Sequence, residues 1–276
     1  MDASAWMADV RGEASLAALS IPGSHDSAAL HEPLPGTARC QTLTIAEQLA
    51  IGVRFLDLRC RRVGDALRLV HGPVDQRRTF DEALADCAAF LRARPSECLI
   101  VSVKEEGDPL ETTRPFEDLF EASAVAATWR WTADIPSVDD ARGTIVLLRR
   151  FPAARLPKGI DATAWVDDAT FRIGDWIRVQ DRYAVDDRDA KWQAIEDLLA
   201  DPGDGSMRLN FVSGFEAPFG IPRIVGLATD LNGRLADRLD RMPRGGSLGI
   251  VVMDSVVADL AAAVLRHQPS AVPAAK

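Results

Sequence analysis

Short apolar runs alternate with amphipathic stretches along the whole chain. Eight of the runs have strand length: LAALSI (16–21), VRFLDLR (53–59), LRLV (67–70), LIVSVK (99–104), TIVLLRR (144–150), IRVQD (177–181), RLNFVS (208–213) and LGIVVMD (248–254). Most are almost continuously apolar, the pattern of parallel strands covered on both faces. In the first, Pro22-Gly23 reads as the strand's end. The stretches between carry helix signals. TIAEQLAIG stops at Gly52, and Thr79 with Glu82 forms a capping box ahead of a helix that stops at Pro95. FEDLFEASAVAATW, DAKWQAIEDLLADPG, IVGLATDLNGRLADRLDRM and VVADLAAAVLRHQ repeat the spacing of helices packed on one face. Strands with interleaved helices predict an α/β fold, a (β/α)8 TIM-type barrel forming one domain over residues 1–276. One connection departs from it. Only CRRVGDA separates Arg59 from Leu67, too little for a helical crossover. The barrel is therefore expected to be distorted there, with a bare loop in place of a helix. A doubly wound open sheet is the alternative, weakened by the lack of a Gly-rich phosphate loop after the first strand.

The chain has 276 residues, 47% apolar and 26% charged, enough for a core that needs no disulfide or metal. A net charge of −9 argues against a nucleic-acid partner and against electrostatic docking on an anionic membrane. Cys40, Cys60, Cys87 and Cys98 form no CxxC pair and no zinc-spaced cluster, so free buried thiols are expected. No stretch is long and apolar enough to span a bilayer. The start, MDASAWMADV, is acidic and lacks an apolar signal core, which leaves a cytoplasmic protein and a mature N-terminus both open.

In a barrel the C-terminal strand ends face the active-site mouth. Read in order, those ends carry His25 and Asp26, Asp57 and Arg59, His71 in LVHGP, Lys104 in VSVKEE, Arg149 and Arg150, Gln180, Asp181 and Tyr183 in VQDRY, Ser213 and Asp254. Each alone has a plain structural explanation: a satisfied histidine, an ion pair in DLR, a solvated charge run in KEE, a helix cap at Asp254. His31 and His267 lie away from strand ends and are read that way. The joint placement of two histidines, three aspartates and an arginine at one mouth points to phosphoryl transfer. One imidazole takes a proton from an attacking hydroxyl and the other protonates the leaving oxygen. The arginine neutralises the phosphoryl oxygens, and the aspartates orient the imidazoles.

From about Leu16 to Asp254, the runs LSIPGSHDS, RFLDLRCR, LVHGP, IVSVKEE, GTIVLLRRF, VQDRY, LNFVSG and GIVVMD resemble, in order, bacterial phosphatidylinositol-specific phospholipase C, an X-domain family. The resemblance implies a distorted TIM barrel and a phosphatidylinositol diacylglycerol-lyase. It implies that His25 is the general base for the inositol 2-hydroxyl, with Asp254 as its orienting partner. His71 is then the general acid, supported by Asp26, and Arg59, braced by Asp57, the phosphate-neutralising residue. Lys104, Arg150, Asp181 and Tyr183 resemble the inositol-binding set, with Arg149 adjacent to Arg150. The products would be diacylglycerol and a 1,2-cyclic inositol phosphate, which water could then open slowly.

The family has a calcium-dependent branch in which an acid replaces the arginine of LDLR. Here Arg59 stands at that place, so no metal and no cofactor are expected. The implied partners are phosphatidylinositol or a related inositol phospholipid and a transient membrane surface. A monomer is expected, and secretion is implied by the family. Phe215, Phe219 and Ile221 in SGFEAPFGIPR are membrane-interface candidates, against a loop folded onto its own barrel. Trp129 and Trp131 read as helix-end core residues. The family often carries tryptophans on a short helix near the mouth; the corresponding GTARCQTLTIAEQL has none, which argues against strong membrane binding. Alternative readings are a calcium-dependent relative, a glycerophosphodiesterase, whose His-Arg-Gly start fits SHDS poorly, and a catalytically silent binder of inositol lipids or glycan anchors.

Overall fold

The computed structural model describes residues 2–269. In chain order its elements are β1 (Ser20–Ser24), α1 (Ile45–Ala50), β2 (Phe55–Val63), β3 (Ala66–His71), β4 (Val74–Thr79), α2 (Phe80–Ala93), β5 (Leu99–Glu105), α3 (Phe116–Ala124), β6 (Trp129–Arg130), α4 (Val138–Ala141), β7 (Ile145–Arg150), β8 (Ile160–Asp161), β9 (Ala169–Ile173), β10 (Ile177–Asp181), α5 (Arg188–Leu199), β11 (Met207–Val212), α6 (Val225–Arg241), β12 (Gly249–Met253) and α7 (Ala258–Leu265). The capping box at Thr79 and Glu82 starts α2, and a second one, Thr44 with Glu47, starts α1.

Seven strands run parallel in the order β7-β5-β2-β1-β12-β11-β10, and β9 adds antiparallel to β10. The short β6 and β8 share the other edge of β7. Among the described residues no ladder joins β8 to β9. Trp165 spans that gap instead: its ring centroid lies 3.8 Å from Arg150 Cζ on the β7 side, and its Nε1 donates to Asp181 Oδ2 at 3.0 Å on the β10 side. The barrel is closed there by a side chain, not by backbone pairing.

The sequence reading needs two corrections here. The LRLV run is not a parallel barrel strand. It forms β3, antiparallel to β2 across the two-residue turn Gly64-Asp65, so a hairpin replaces the expected bare loop. Nor does Pro22-Gly23 end the first strand; β1 runs through both to Ser24. Pro22 is tolerated because its side toward β2 is where that pairing only begins: its carbonyl accepts from Arg54 N at 2.9 Å, while the Gly52 carbonyl just before is taken by the Trp6 indole at 3.0 Å. Gly23 is needed for space, since a Cβ there would lie 3.0 Å from the Phe55 ring.

Alternation along each strand sorts the side chains. Ile21, Phe55, Ile100, Leu148, Val179, Phe211 and Val252 fill the barrel interior. Leu56, Val101, Leu147 and Met253 face outward to the helices, against Phe80 of α2, Phe120 of α3 and Leu231 of α6. Continuing the inward set by two or four residues toward the mouth delivers His25, Asp57 and Arg59, Lys104, Arg150, Asp181 and Asp254. Arg149 falls on the outer face, where it pairs with Asp161 at 2.6 Å and donates to the carbonyls of Phe151 and Lys158. All four cysteines are buried and free, and no described helix is long and apolar enough to cross a membrane.

At the opposite end of the barrel, Arg54 and Glu97 form a fully buried ion pair at 2.8 Å. Arg54 also donates to the carbonyls of Ser4, Leu49 and Val53, and Glu97 accepts from Met7 N, so the pair anchors the N-terminal segment. Glu97→Ala strands a buried guanidinium. It is expected to lower unfolding free energy by about 3–5 kcal/mol, measured by urea denaturation.

Candidate active site

The turn after β1 is pinned from several sides. Asp26 adopts a left-handed φ of 39°, a conformation that Asp tolerates better than most residues. His25 N donates to Met253 O at 2.9 Å, and Ser27 N to Asp57 O at 2.8 Å. Ser27 Oγ accepts from Asp57 N at 2.9 Å. The Gln41 amide donates to both the His25 and Met253 carbonyls at 2.8 Å, locking the ends of β1 and β12 together.

His25 is thereby held between Asp254, at 2.8 Å from Nδ1, and Arg59, whose Nη2 lies 2.7 Å from Nε2. A guanidinium has only donors, so Nε2 accepts and Nδ1 carries the proton toward Asp254. The ring is neutral, with the lone pair of a base at Nε2. Arg59 is in turn gripped by Asp57, whose Oδ2 accepts from Nε and Nη2 at 3.2 Å each. Burial works against the Asp57 charge, but Arg59 and Arg150 outweigh it and hold its carboxyl well below the usual range.

His71 arrives from the hairpin. β2 rises past the mouth and β3 returns, so His71 lies two residues beyond the Cys60–Leu69 pair, back near the level of Arg59. Its Nδ1 donates to the Ala38 carbonyl at 2.7 Å, which leaves Nε2 facing Asp26 Oδ2 at 4.0 Å. The two imidazole centroids are 6.2 Å apart. Asp26 therefore sits beside His71 without a hydrogen bond to it, and closer to Arg59 Nε at 3.6 Å. Burial pushes the Asp26 carboxyl up to about 8 despite Arg59, while burial and then Arg59 push His71 down. Both shifts favour a proton on the Asp26 carboxyl over one on His71 Nε2.

A cavity of about 350 Å³ opens over these groups, lined by His25, Arg59, His71, Lys104, Glu106, Arg150, Asp167, Asp181 and Tyr183. Arg150 is almost wholly buried, and its Nε and Nη1 lack hydrogen-bond partners. The Tyr183 hydroxyl donates to Asp167 at 2.7 Å. Gln180 turns away to Lys191 and Asn210. On the rim, Ile224 N donates to Gly36 O at 3.0 Å, tying loop 31–40 to loop 213–224. Phe219 and Ile221 point outward, 100% and 54% exposed, and Leu34 is exposed in the tied loop. Phe215 instead turns inward, half-buried against Ile224 and the Tyr183 ring, so it is not an outward interface residue. Trp129 and Trp131 stack on each other in the core with Phe120.

Residues 15–151 match the family described as phosphatidylinositol-specific phospholipase C, X domain. Over 232 residues the chain is 30% identical to the 1-phosphatidylinositol phosphodiesterase of Staphylococcus aureus strain Newman, covering 75% of this chain and 74% of that one. This chain belongs to the phosphatidylinositol-specific phospholipase C family. It is also 29% identical over 153 residues to the Listeria monocytogenes 1-phosphatidylinositol phosphodiesterase, covering 52% of this chain and 47% of that one. The fold is that of a solved S. aureus phosphatidylinositol-specific phospholipase C, with a TM-score of 0.87 at 24% identity over 96% of this chain and 97% of that one. The Listeria enzyme gives 0.76 at 22% identity, over 97% and 99%.

Two residues of this phospholipase C site escaped the sequence reading. Glu106 accepts from Gly72 N at 2.6 Å and from Lys104 Nζ at 2.9 Å, and faces Arg59 at 3.5 Å. It fixes the turn after His71, yet in the sequence it is one more charge in VSVKEE. Trp165, the barrel-closing ring, lies in a loop with no distinguishing pattern. The neutral Nδ1–H form of His25 is a testable feature. Nitrogen-15 NMR of the imidazoles at neutral pH is expected to show an unprotonated Nε2 on His25.

Proposed function

We propose that the chain cleaves the glycerol–phosphate bond of phosphatidylinositol, releasing diacylglycerol and inositol 1,2-cyclic phosphate. One observation carries the reading: two imidazoles 6.2 Å apart flank a single braced guanidinium, one ring poised to take a proton and the other beside a proton-bearing carboxyl. His25 Nε2 removes the proton of the inositol 2-hydroxyl. The freed oxygen attacks phosphorus from within the same substrate, so proximity is built in. Arg59 swings its donors from His25 to the phosphoryl oxygens and neutralises the charge that develops. The phosphorus–glycerol oxygen bond breaks, and the proton held by His71 and Asp26 passes to the departing oxygen.

Arg150, with two unpartnered nitrogens, binds ring hydroxyls together with Lys104, Asp181 and Tyr183. The fixed charge of Arg59 fills the place of a calcium ion and repels one, so turnover needs no added metal. The outward Leu34, Phe219 and Ile221 meet the lipid surface. At about 1.5–3 kcal/mol per buried side chain they support weak, reversible contact, in keeping with the net charge of −9.

Phosphorus NMR of the protein with phosphatidylinositol in mixed micelles tests the reaction: a cyclic phosphate signal is expected with and without EGTA. Its absence in both samples sinks the proposal, and its loss with EGTA sinks metal independence. His25→Ala and His71→Ala are each expected to cut cleavage by more than ~10²-fold. Arg59→Lys is expected to fall sharply too, because an ammonium cannot reproduce the planar fork. The acid must be protonated, and Asp26 loses its proton near about 8. Hence kcat/KM is expected to fall as pH rises through it. Asp26→Asn should lower the rate and remove that alkaline limb.

A further inference from the structure

Cys40 has no part in the proposed proton transfers, yet its thiol is buried among them. Its Sγ lies 3.7 Å from His71 Nδ1. One donor atom each from Asp26, Cys40 and His71 lies within 4.8 Å of the other two. Asp26 Oδ2 is buried with no hydrogen-bond partner, on a residue only 1% exposed. The backbone holds the thiol in place: Cys40 N donates to Ala29 O at 3.0 Å and Ser255 N to Cys40 O at 2.7 Å. We propose that Asp26, Cys40 and His71 form a site for a soft divalent cation of the zinc class, and that its occupancy shuts the enzyme off.

A tetrahedral zinc with ordinary Zn–S and Zn–N lengths separates sulfur from nitrogen by about 3.6 Å, close to the spacing present. His25, Cys40 and Asp254 also come within 4.8 Å of one another. Recruiting that set would break the 2.8 Å bond between His25 and Asp254 and the contact of His25 with Arg59. Here His71 Nδ1 gives up only its bond to the Ala38 carbonyl and passes its proton to Nε2, and Asp26 Oδ2 has no hydrogen bond to lose. Arg59 Nε stands 3.6 Å from Asp26 Oδ2 and opposes any cation. A thiolate and a carboxylate together offset that repulsion for a soft ion. A hard ion such as calcium wants six or more oxygens and finds only one carboxylate here. The thiol and carboxyl protons leave to solvent as the ion binds. His71, bound to metal, can then deliver no proton. Three protein ligands leave a fourth position open toward the mouth.

The proposal goes beyond the catalytic reading, and metal binding is read separately from turnover. Cobalt(II) titrated into the whole protein is expected to give a thiolate-to-cobalt charge-transfer band, and zinc to displace it. Zinc is expected to inhibit phosphatidylinositol cleavage, with EDTA restoring it. Cys40→Ser should keep cleavage in metal-free buffer, lose the band and weaken zinc inhibition by more than about tenfold. Cys87→Ser, whose thiol is buried away from the mouth, should behave as the unaltered protein. Equal zinc inhibition in Cys40→Ser, or no thiolate band in the unaltered protein, overturns the site. Should Cys40→Ser fail to fold, the cobalt spectrum of the unaltered protein and Cys40→Ala decide. An unaltered protein that shows the band but cleaves no lipid would sink the catalytic reading alone.

Discussion

One buried carboxylate holds the mouth together. Asp57 Oδ2 takes both donors of Arg59 at 3.2 Å, and its Oδ1 faces Ser102 Oγ at 3.3 Å and Arg150 Nη1 at 3.5 Å. Asp26 N reaches the same group at 3.4 Å. The turn after β1 and the ends of β2, β5 and β7 thus share a single charge. A carboxylate out of water is tolerable only when its partners are this complete. Those partners are the groups that define the site: with Asp57 ionised, Arg59 is held in its resting position, and that position sets which nitrogen of His25 carries the proton. The chemistry of the base is therefore decided two steps away, by an acid that need not touch substrate.

The hairpin and Trp165 solve two geometric problems of the same barrel. Seven parallel strands can present seven ends, but a second imidazole is needed opposite the first. β2 overshoots the mouth and β3 brings His71 back across it, which is why the connection after Arg59 is too short for a helix. The wall is incomplete elsewhere, between β8 and β9, and Trp165 bridges it by stacking on Arg150 and donating to Asp181. The closure thereby orients two groups of the proposed inositol pocket.

Much of this was legible in the chain, for a physical reason. Parallel strands end at one level, so His25 and Asp254, separated by 229 positions, could be placed at one mouth from strand ends, while their pairing was implied by the family resemblance. The strand period of two was the signal left unused. It puts Arg150 inside and Arg149 outside, and beyond β5 it selects Glu106 over Glu105. The Gly64-Asp65 pair between two apolar runs was a hairpin signal as well. Pro22 misled because proline in a central strand is judged by its missing donor, and here the partner carbonyl was already occupied by Trp6. Trp165, Phe215 and the 4.0 Å gap between Asp26 and His71 were beyond reach, because loop paths and side-chain approach are set by tertiary packing, not by pattern.

The two histidines differ through their neighbours, not through themselves. His25 has a satisfied nitrogen on each side, one donating to Asp254 and one accepting from Arg59, and so begins without a spare proton. His71 is satisfied only at Nδ1, and its other face meets a carboxyl that burial keeps protonated. In the proposed mechanism the resting site is thus loaded in one direction: base on the side of the inositol hydroxyl, acid on the side of the leaving glycerol. After one transfer the loading is inverted. His25 then holds a proton, stabilised by Asp254, and the pair of His71 and Asp26 has lost one. That inverted state is the one needed to open a cyclic phosphate, with the pair drawing a proton from water and His25 returning its own to the inositol oxygen. The arrangement that favours ring closure therefore prepares hydrolysis. On that reading the second reaction is the slower one, because water, unlike the inositol hydroxyl, is not tethered to phosphorus.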